Sequence, residues 1–236
     1  MTPELALNGS PGRGWGPARQ TLRALLAQHT ALGLSAGTLE VLVARAEFGC
    51  WHSGQEVAAS DEQPAGLRVV VGGVVRIVCH VRGGSAVTVQ LVGAGGLLHL
   101  TGVPPDTVHR VCAVAHTPVL VAVLPPGTGR DVACQLRIEE ALRLVACAWQ
   151  TLSRRLYEKS ALLALPVRAR VLQELRSLAR DFGRPHPAGV CVDVPISHAD
   201  LASLVGAARA NVTRALGSLR AEGALAAVGG RLVLRA

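Results

Sequence analysis

The sequence predicts an α+β chain with an N-terminal β jelly roll, a long helix able to pair with a copy of itself, and a C-terminal winged helix-turn-helix. Three observations carry that prediction. Between Ala46 and Pro126, short Val-rich runs are separated by Gly, Pro and Asp, the regular strand-and-turn spacing of a jelly roll. From Ile138 to Leu163, apolar residues recur in 4-3 alternation, which is the seam of a coiled coil. From Pro195 to the end, a helix cap, a Gly turn, two apolar helix faces and a Gly-Gly hairpin fall in one register, and agreement among such local signals specifies a fold.

In chain order, residues 1–18 are rich in Gly and Pro and read as a flexible tail. A helix is expected from about Ala18 to Thr30, with Leu22, Leu25 and Leu26 on one side. Strands are expected within Leu67–Val81, Val87–Val92 and Arg110–Leu124, all rich in Val. The jelly-roll domain is placed at 19–130, the long helix at 131–164 and the C-terminal domain at 165–236.

In the long helix, Ile138, Leu142, Val145, Trp149, Leu152 and Leu156 form the expected dimer seam. Lys159 and Leu163 continue the spacing, so Lys159 is the one polar member. The same stripe also suits a helix packed on its own domain. Ala164 to Pro166 reads as a hinge, with Pro166 at the first position of the next helix. Val171, Leu175, Leu178 and Phe182 give that helix one apolar face, and Gly183 ends it.

Ser197 precedes an apolar-periodic run and has Asp200 three residues on, a capping-box pattern with Asp in place of Glu. Leu201, Leu204 and Val205 mark the buried side of a short helix. Gly206 follows where a tight turn favours a residue without Cβ. A second helix from about Ala208 to Glu222 buries Val212, Leu216 and Leu219, and Gly223 suits a left-handed cap. Leu225 to Leu234 alternates around Gly229-Gly230, a hairpin-turn dipeptide, and forms the wing. Opposite Val212 and Leu216 lie Ala210, Arg214 and Gly217, with Thr213 beside them and Arg209 and Asn211 at the helix start. The first half of such a helix enters the DNA major groove. There Arg bonds both acceptors of guanine and Asn reads adenine. Arg209, Asn211, Thr213 and Arg214 are therefore the expected base readers. Ser197, His198 and Arg231 of the wing are the expected phosphate contacts. The competing interpretation is an ordinary three-helix packing unit with solvated arginines.

The net charge of +8 suits a polyanionic partner. All basic side chains but Lys159 are Arg, a bias that a GC-rich genome also produces. Position is more telling: from Thr151 onward, thirteen basic residues face six acidic ones. No uninterrupted apolar run reaches the roughly 18 residues of a membrane span, and the N-terminus lacks a signal pattern, so a cytoplasmic protein is expected. The six cysteines stand singly, which gives no support to zinc-finger or clustered iron–sulfur ligation. No paired acid and base, nucleophile triad or phosphate loop is legible, so no enzymatic activity is expected.

Asp200-Leu-Ala, Gly206, Arg209-Ala-Asn-Val-Thr-Arg214, Leu216, Leu219 and Gly223 resemble the helix-turn-helix of the cyclic-AMP receptor protein / fumarate-nitrate regulator (Crp/Fnr) superfamily of bacterial transcription regulators. Gly54-Gln55, Val71 to Val75, Gly93 and Leu124-Pro125-Pro126 align with its sensor domain. The resemblance implies a homodimer paired through the long helix, a cyclic-nucleotide-binding-like jelly roll, a palindromic double-stranded DNA operator and RNA polymerase as a partner. The family's base-reading positions fall on Arg209, Ala210, Thr213 and Arg214. Ala210 replaces the usual Glu and removes an acceptor for a cytosine amino proton, so the half-site read should differ from the family's common one.

In the family, a Gly-Glu pair, an Arg-Ser pair and hydroxyls on the long helix hold a cyclic nucleotide. Here those regions read Gly93-Ala-Gly-Gly-Leu-Leu-His-Leu100, His109-Arg110-Val111 and Arg155-Leu156. The acid and hydroxyls are missing, which argues against cyclic AMP, although Arg110 suits a phosphate. One alternative is a heme-based gas or redox sensor. His99 stands where the family's CO-sensing activators place a heme ligand, and Leu97, Leu98 and Leu100 supply apolar neighbours. His80, His109 and His116 compete for that role. A regulator that binds no effector is the other alternative, and a sensing module with a decayed helix-turn-helix is a further one.

Overall fold

The computed structural model describes residues 14–28, 34–60, 67–82, 84, 86–98, 108–125 and 138–235. They fall into two compact units, one drawn from Met1–Gly83 and Leu91–Leu152, the other from Gly84–Gln90 and Ser153–Ala236.

The first unit opens with two helices, α1 (Gly16–Gln28) and α2 (Ala36–Arg45). The first begins two residues before the Ala18 expected from the sequence. Arg19 of α1 donates to the carbonyls of Ala44 at 3.0 Å and Ala46 at 3.2 Å, and also to that of Val43. It thus supplies a cation to the unsatisfied C-terminal end of α2. In chain order eight strands follow, most of β5 being grouped with the second unit: β1 (Glu47–Trp51), β2 (Glu56–Ala59), β3 (Leu67–Gly72), β4 (Val75–Val81), β5 (Ala86–Val92), β6 (Leu97–Leu98), β7 (Val108–Ala115) and β8 (Val119–Leu124). They form two four-stranded sheets, ordered β1-β8-β3-β6 and β2-β7-β4-β5. This is the expected jelly roll.

The Val-rich runs have a packing reason. In β3, Val70 enters a core shared with Val75, Ile77, Ala113 and Val121, whereas Val69 and Val71 face Leu22, Leu26 and Val43 of the two helices. In β8, Val119 and Val121 point to the first cluster, and Leu120, Ala122 and Leu124 to the second. A strand buried on both faces reads as a continuous apolar run rather than an alternation.

Helix α3 (Ile138–Leu163) is the long helix, and the division between the two units falls within it. Its expected seam is exposed in the single chain: Leu142 is 65% exposed, Val145 68%, Trp149 71% and Leu156 65%. The side chain of Leu152 lies outside the described residues. Lys159 leaves the stripe. Its ammonium bonds Glu174 at 2.9 Å and the Leu204 carbonyl at 3.1 Å.

The second unit joins α4 (Val167–Phe182), α5 (His198–Val205) and α6 (Arg209–Ala221) to a sheet whose strands run in the order β11 (Leu225–Val228), β12 (Arg231–Leu234), β10 (Gly189–Val192) and β9 (Gly183–His186). Pro166 is the N-cap of α4 rather than its first residue, a shift of one position. The wing strands β11 (Leu225–Val228) and β12 (Arg231–Leu234) join through Gly229 and Gly230 at φ 55° and 77°, as a primed hairpin turn requires. The sequence assigned no strand between Gly183 and Pro195, yet β9 (Gly183–His186) and β10 (Gly189–Val192) pair there, and β10 adds to β12. The wing is therefore the edge of a four-stranded sheet. Gly189 is required for it: at φ 135°, an added Cβ would stand 1.9 Å from the Leu234 carbonyl oxygen. Val171, Leu175, Leu201, Leu216, Leu219 and Val233 are fully buried at the centre. Each such Leu contributes about 1.5–3 kcal/mol by leaving water.

Candidate DNA-binding site

The helix-turn-helix is built by local rules. Ser197 Oγ accepts from the Asp200 amide at 3.1 Å, and Asp200 Oδ2 accepts from the Ser197 amide at 2.9 Å. The capping box is complete with Asp in place of Glu. Ser197 Oγ also lies 2.5 Å from Asp200 Oδ2, so the hydroxyl expected to meet phosphate is engaged in the cap. Gly206 ends α5 at φ 61° and ψ 50°, a left-handed position that suits glycine. Arg170 of α4 donates to the Val205 carbonyl at 3.2 Å and the Leu165 carbonyl at 2.9 Å. Together with Lys159 on Leu204, it places two cations at the C-terminal end of α5, where the helix dipole favours them. At the end of α6, the Ala224 amide bonds the Leu219 carbonyl at 3.0 Å and Gly223 bonds Arg220 at 3.0 Å. That is a Schellman motif. Beside it, the Ser218 hydroxyl and then the Arg168 guanidinium hold the Glu222 carboxyl below its ordinary range.

These anchors fix which side of α6 faces out. Val212, Ala215, Leu216 and Leu219 are buried, whereas Arg209, Ala210, Thr213, Arg214 and Gly217 are exposed. Gly217 has no packing reason to be glycine, since a Cβ there would meet nothing within 4 Å. Two hydrogen bonds organise the exposed side. Arg214 Nη2 donates to Asn211 Oδ1 at 2.5 Å. His198 Nδ1, at the start of α5, lies 2.9 Å from Thr213 Oγ1. Asn211 is half-buried and its oxygen is occupied by Arg214. A bidentate bond to adenine needs that oxygen as well as the amide N–H.

At the wing, Arg231 pairs with Asp193, and Arg184 of β9 pairs with the same carboxylate. Both arginines remain largely exposed while Asp193 is mostly covered. Sequence reasoning missed Arg184 and Asp193. They meet Arg231 only through the pairing of β10 with β9 and β12, which no local spacing announces.

The first unit holds most of the residues considered for an effector, Arg155 and Leu156 of α3 being grouped with the second. Arg110 donates to both oxygens of Glu56, at 2.8 and 2.7 Å. The Gly93–Gly96 turn is closed on β3: the Gly95 amide donates to the Val70 carbonyl and the Val70 amide to the Gly96 carbonyl. An added Cβ on Gly96 would stand 2.3 Å from Val92 Cγ1, so close packing accounts for that glycine. His80 Nε2 lies 3.4 Å from Cys112 Sγ. Burial pushes the Cys50, Cys79 and Cys112 thiols above their ordinary pKa, away from thiolate reactivity. His99 and the side chain of His109 lie outside the described residues. Among the described residues, no three His, Cys, Asp or Glu side chains assemble as metal ligands, and no helix is long and apolar enough to cross a membrane.

A capped helix-turn-helix with a basic exposed second helix and a β wing defines a winged-helix DNA-binding protein. Comparison with known proteins makes this specific. Residues 169–236 match the Crp-like helix-turn-helix domain. The chain is 31% identical over 160 residues to a global nitrogen regulator of Synechococcus elongatus, covering 64% of this chain and 69% of the relative. The fold is similar to that of the c-di-GMP responsive global regulator CLP of Xanthomonas campestris, with TM-score 0.66 and 24% identity over 86% of this chain and all of the other. FixK2 from Bradyrhizobium japonicum gives TM-score 0.67 and 23% identity, covering 81% and 93%. The chain belongs to the Crp/Fnr family of DNA-binding transcription regulators.

Proposed function

We propose that this regulator acts as a homodimer that binds a palindromic operator through Arg209, Thr213 and Arg214, and that its effector is not cyclic AMP. The exposed side of α6 carries the reading: its polar side chains project outward, and the fold uses none of Arg209, Thr213 or Arg214 to bury apolar surface. Asn211 serves this face by holding Arg214. His198 and Arg231 flank it as phosphate contacts, and at Arg231 a phosphate would compete with the Asp193 carboxylate already paired to it.

Dimerisation is supported by the location of exposed apolar surface. Seven of the eleven large apolar side chains exposed among the described residues lie on α3, and they include Ile138, Leu142, Val145, Trp149 and Leu156 of the 4-3 stripe. Such a concentration marks an interface, and a repeat of this period suits a second copy of the same helix. The exclusion of cyclic AMP is supported by Arg110. Its guanidinium is already in a bidentate pair with Glu56, which a nucleotide phosphate would have to displace. RNA polymerase is the protein partner we propose at a promoter. The likeness to a global nitrogen regulator makes nitrogen supply the first condition under which to seek regulated promoters.

The test is binding-site selection with the full-length protein, followed by sedimentation of the free and DNA-bound forms. The expected result is a palindrome with half-site centres about 34 Å apart, bound by two chains. Affinity should fall linearly with the logarithm of salt concentration. Absence of an enriched motif, or one chain on a single half-site, would overturn the proposal.

A further inference from the structure

We infer that His198 is a specificity-determining positioning residue, which fixes the hydrogen-bonding sense of the Thr213 hydroxyl toward a base rather than serving only as a phosphate contact. This rests on the reading of α6 as the base-reading helix. A threonine hydroxyl has one proton and two lone pairs, and its rotor ordinarily turns to suit any partner. A free Thr213 would therefore donate to guanine O6 or accept from an adenine or cytosine amino group with little preference between them. Here the rotor is not free. His198 Nδ1 stands 2.9 Å from Thr213 Oγ1, across the turn that separates the start of α5 from the second turn of α6.

When Nδ1 is the acceptor, the hydroxyl proton points to the imidazole and the base meets lone pairs only. When Nδ1 carries the proton, the hydroxyl accepts from it and its own proton is available to the base. In the first state the hydroxyl presents acceptors only, so the base pair beneath it is discriminated; in the second it keeps one lone pair beside its proton and discriminates less. The residue that would otherwise supply a fixed acceptor on this face is absent, because Ala210 has no polar side chain. His198 and Thr213 are held in place by independent devices: the capping box at Ser197 and Asp200, and the burial of Val212 and Leu216. Their juxtaposition is therefore preorganised.

The experiment is binding-site selection followed by a double-mutant cycle on the full-length protein. Selection with wild type and T213V identifies the base pair whose preference depends on Thr213. The ratio of Kd values between operators differing at that pair is then measured for wild type, H198A, T213V and the double variant. The expected result is a three- to tenfold loss of discrimination in H198A at that pair alone, about the scale of one hydrogen bond, with no further loss in the double variant. H198N, which places an amide near the position of Nδ1, should restore part of the ratio. A uniform loss of affinity across all operators, additivity in the cycle, or a T213V variant with an unchanged motif would overturn the inference while leaving the regulator reading intact. Failure of wild type to select any motif would overturn both.

Discussion

The polar side chains on the outer face of the β2-β7-β4 sheet and those on the exposed side of α6 have opposite fates. On the sheet, Arg110 is bound to Glu56 and His80 lies against Cys112. On α6, Arg214 and Thr213 are held by Asn211 and His198 but remain turned outward. In the first region, charge is neutralised within the domain. In the second, side chains are oriented by neighbours and left available. The difference teaches that exposure alone does not mark a binding residue. What distinguishes the helix is orientation without neutralisation.

Removing a group from α6 should damage binding and spare the fold. Arg214→Ala is expected to weaken specific DNA binding by about 1–3 kcal/mol and to relax one base position, while unfolding stability stays within about 0.5 kcal/mol of wild type. Parallel selection and denaturant titration measure both. A destabilised variant with an unchanged motif would mean that Arg214 serves the fold. Next in size is Gly217→Ala. An interior helix Gly costs about 1 kcal/mol relative to Ala, and the added methyl meets nothing within 4 Å, so the free energy of unfolding should rise by that amount. A fall would reveal packing on this side and undo the comparison. The smallest effect is expected in the sheet. Arg110→Ala should lower stability by about 0.2–1 kcal/mol, the range for partly exposed ion pairs. No change would show that the pair with Glu56 is dispensable and that Arg110 is available to an anionic effector.

The helix-turn-helix was legible because each of its signals is local. Ser197 and Asp200 cap over one turn, Gly206 and Gly223 take positive φ, and Val212, Leu216 and Leu219 repeat at helical period. The double burial of β3 and β8 was only partly legible, since a Val run does not say what covers each face. The strands β9 and β10 were not legible at all. Pro185 lies within β9, the segments are four residues long, and only pairing with β12 makes them a sheet. Lys159 was misplaced for a similar reason: its 4-3 position put it in the seam, but its ammonium is drawn to Glu174 and the end of α5.

The sequence by itself determined the fold class, the capped helix-turn-helix, the exposed side of its second helix and the apolar stripe of the long helix. These follow from periodicity, caps and glycine conformations, all written within a few turns of chain. Tertiary structure alone decided what each polar group does. The pairing of Arg231 with Asp193, of Arg110 with Glu56 and of His198 with Thr213 joins residues 38, 54 and 15 positions apart. Such partners are chosen by strand pairing and helix packing, which bring together groups that no local pattern connects.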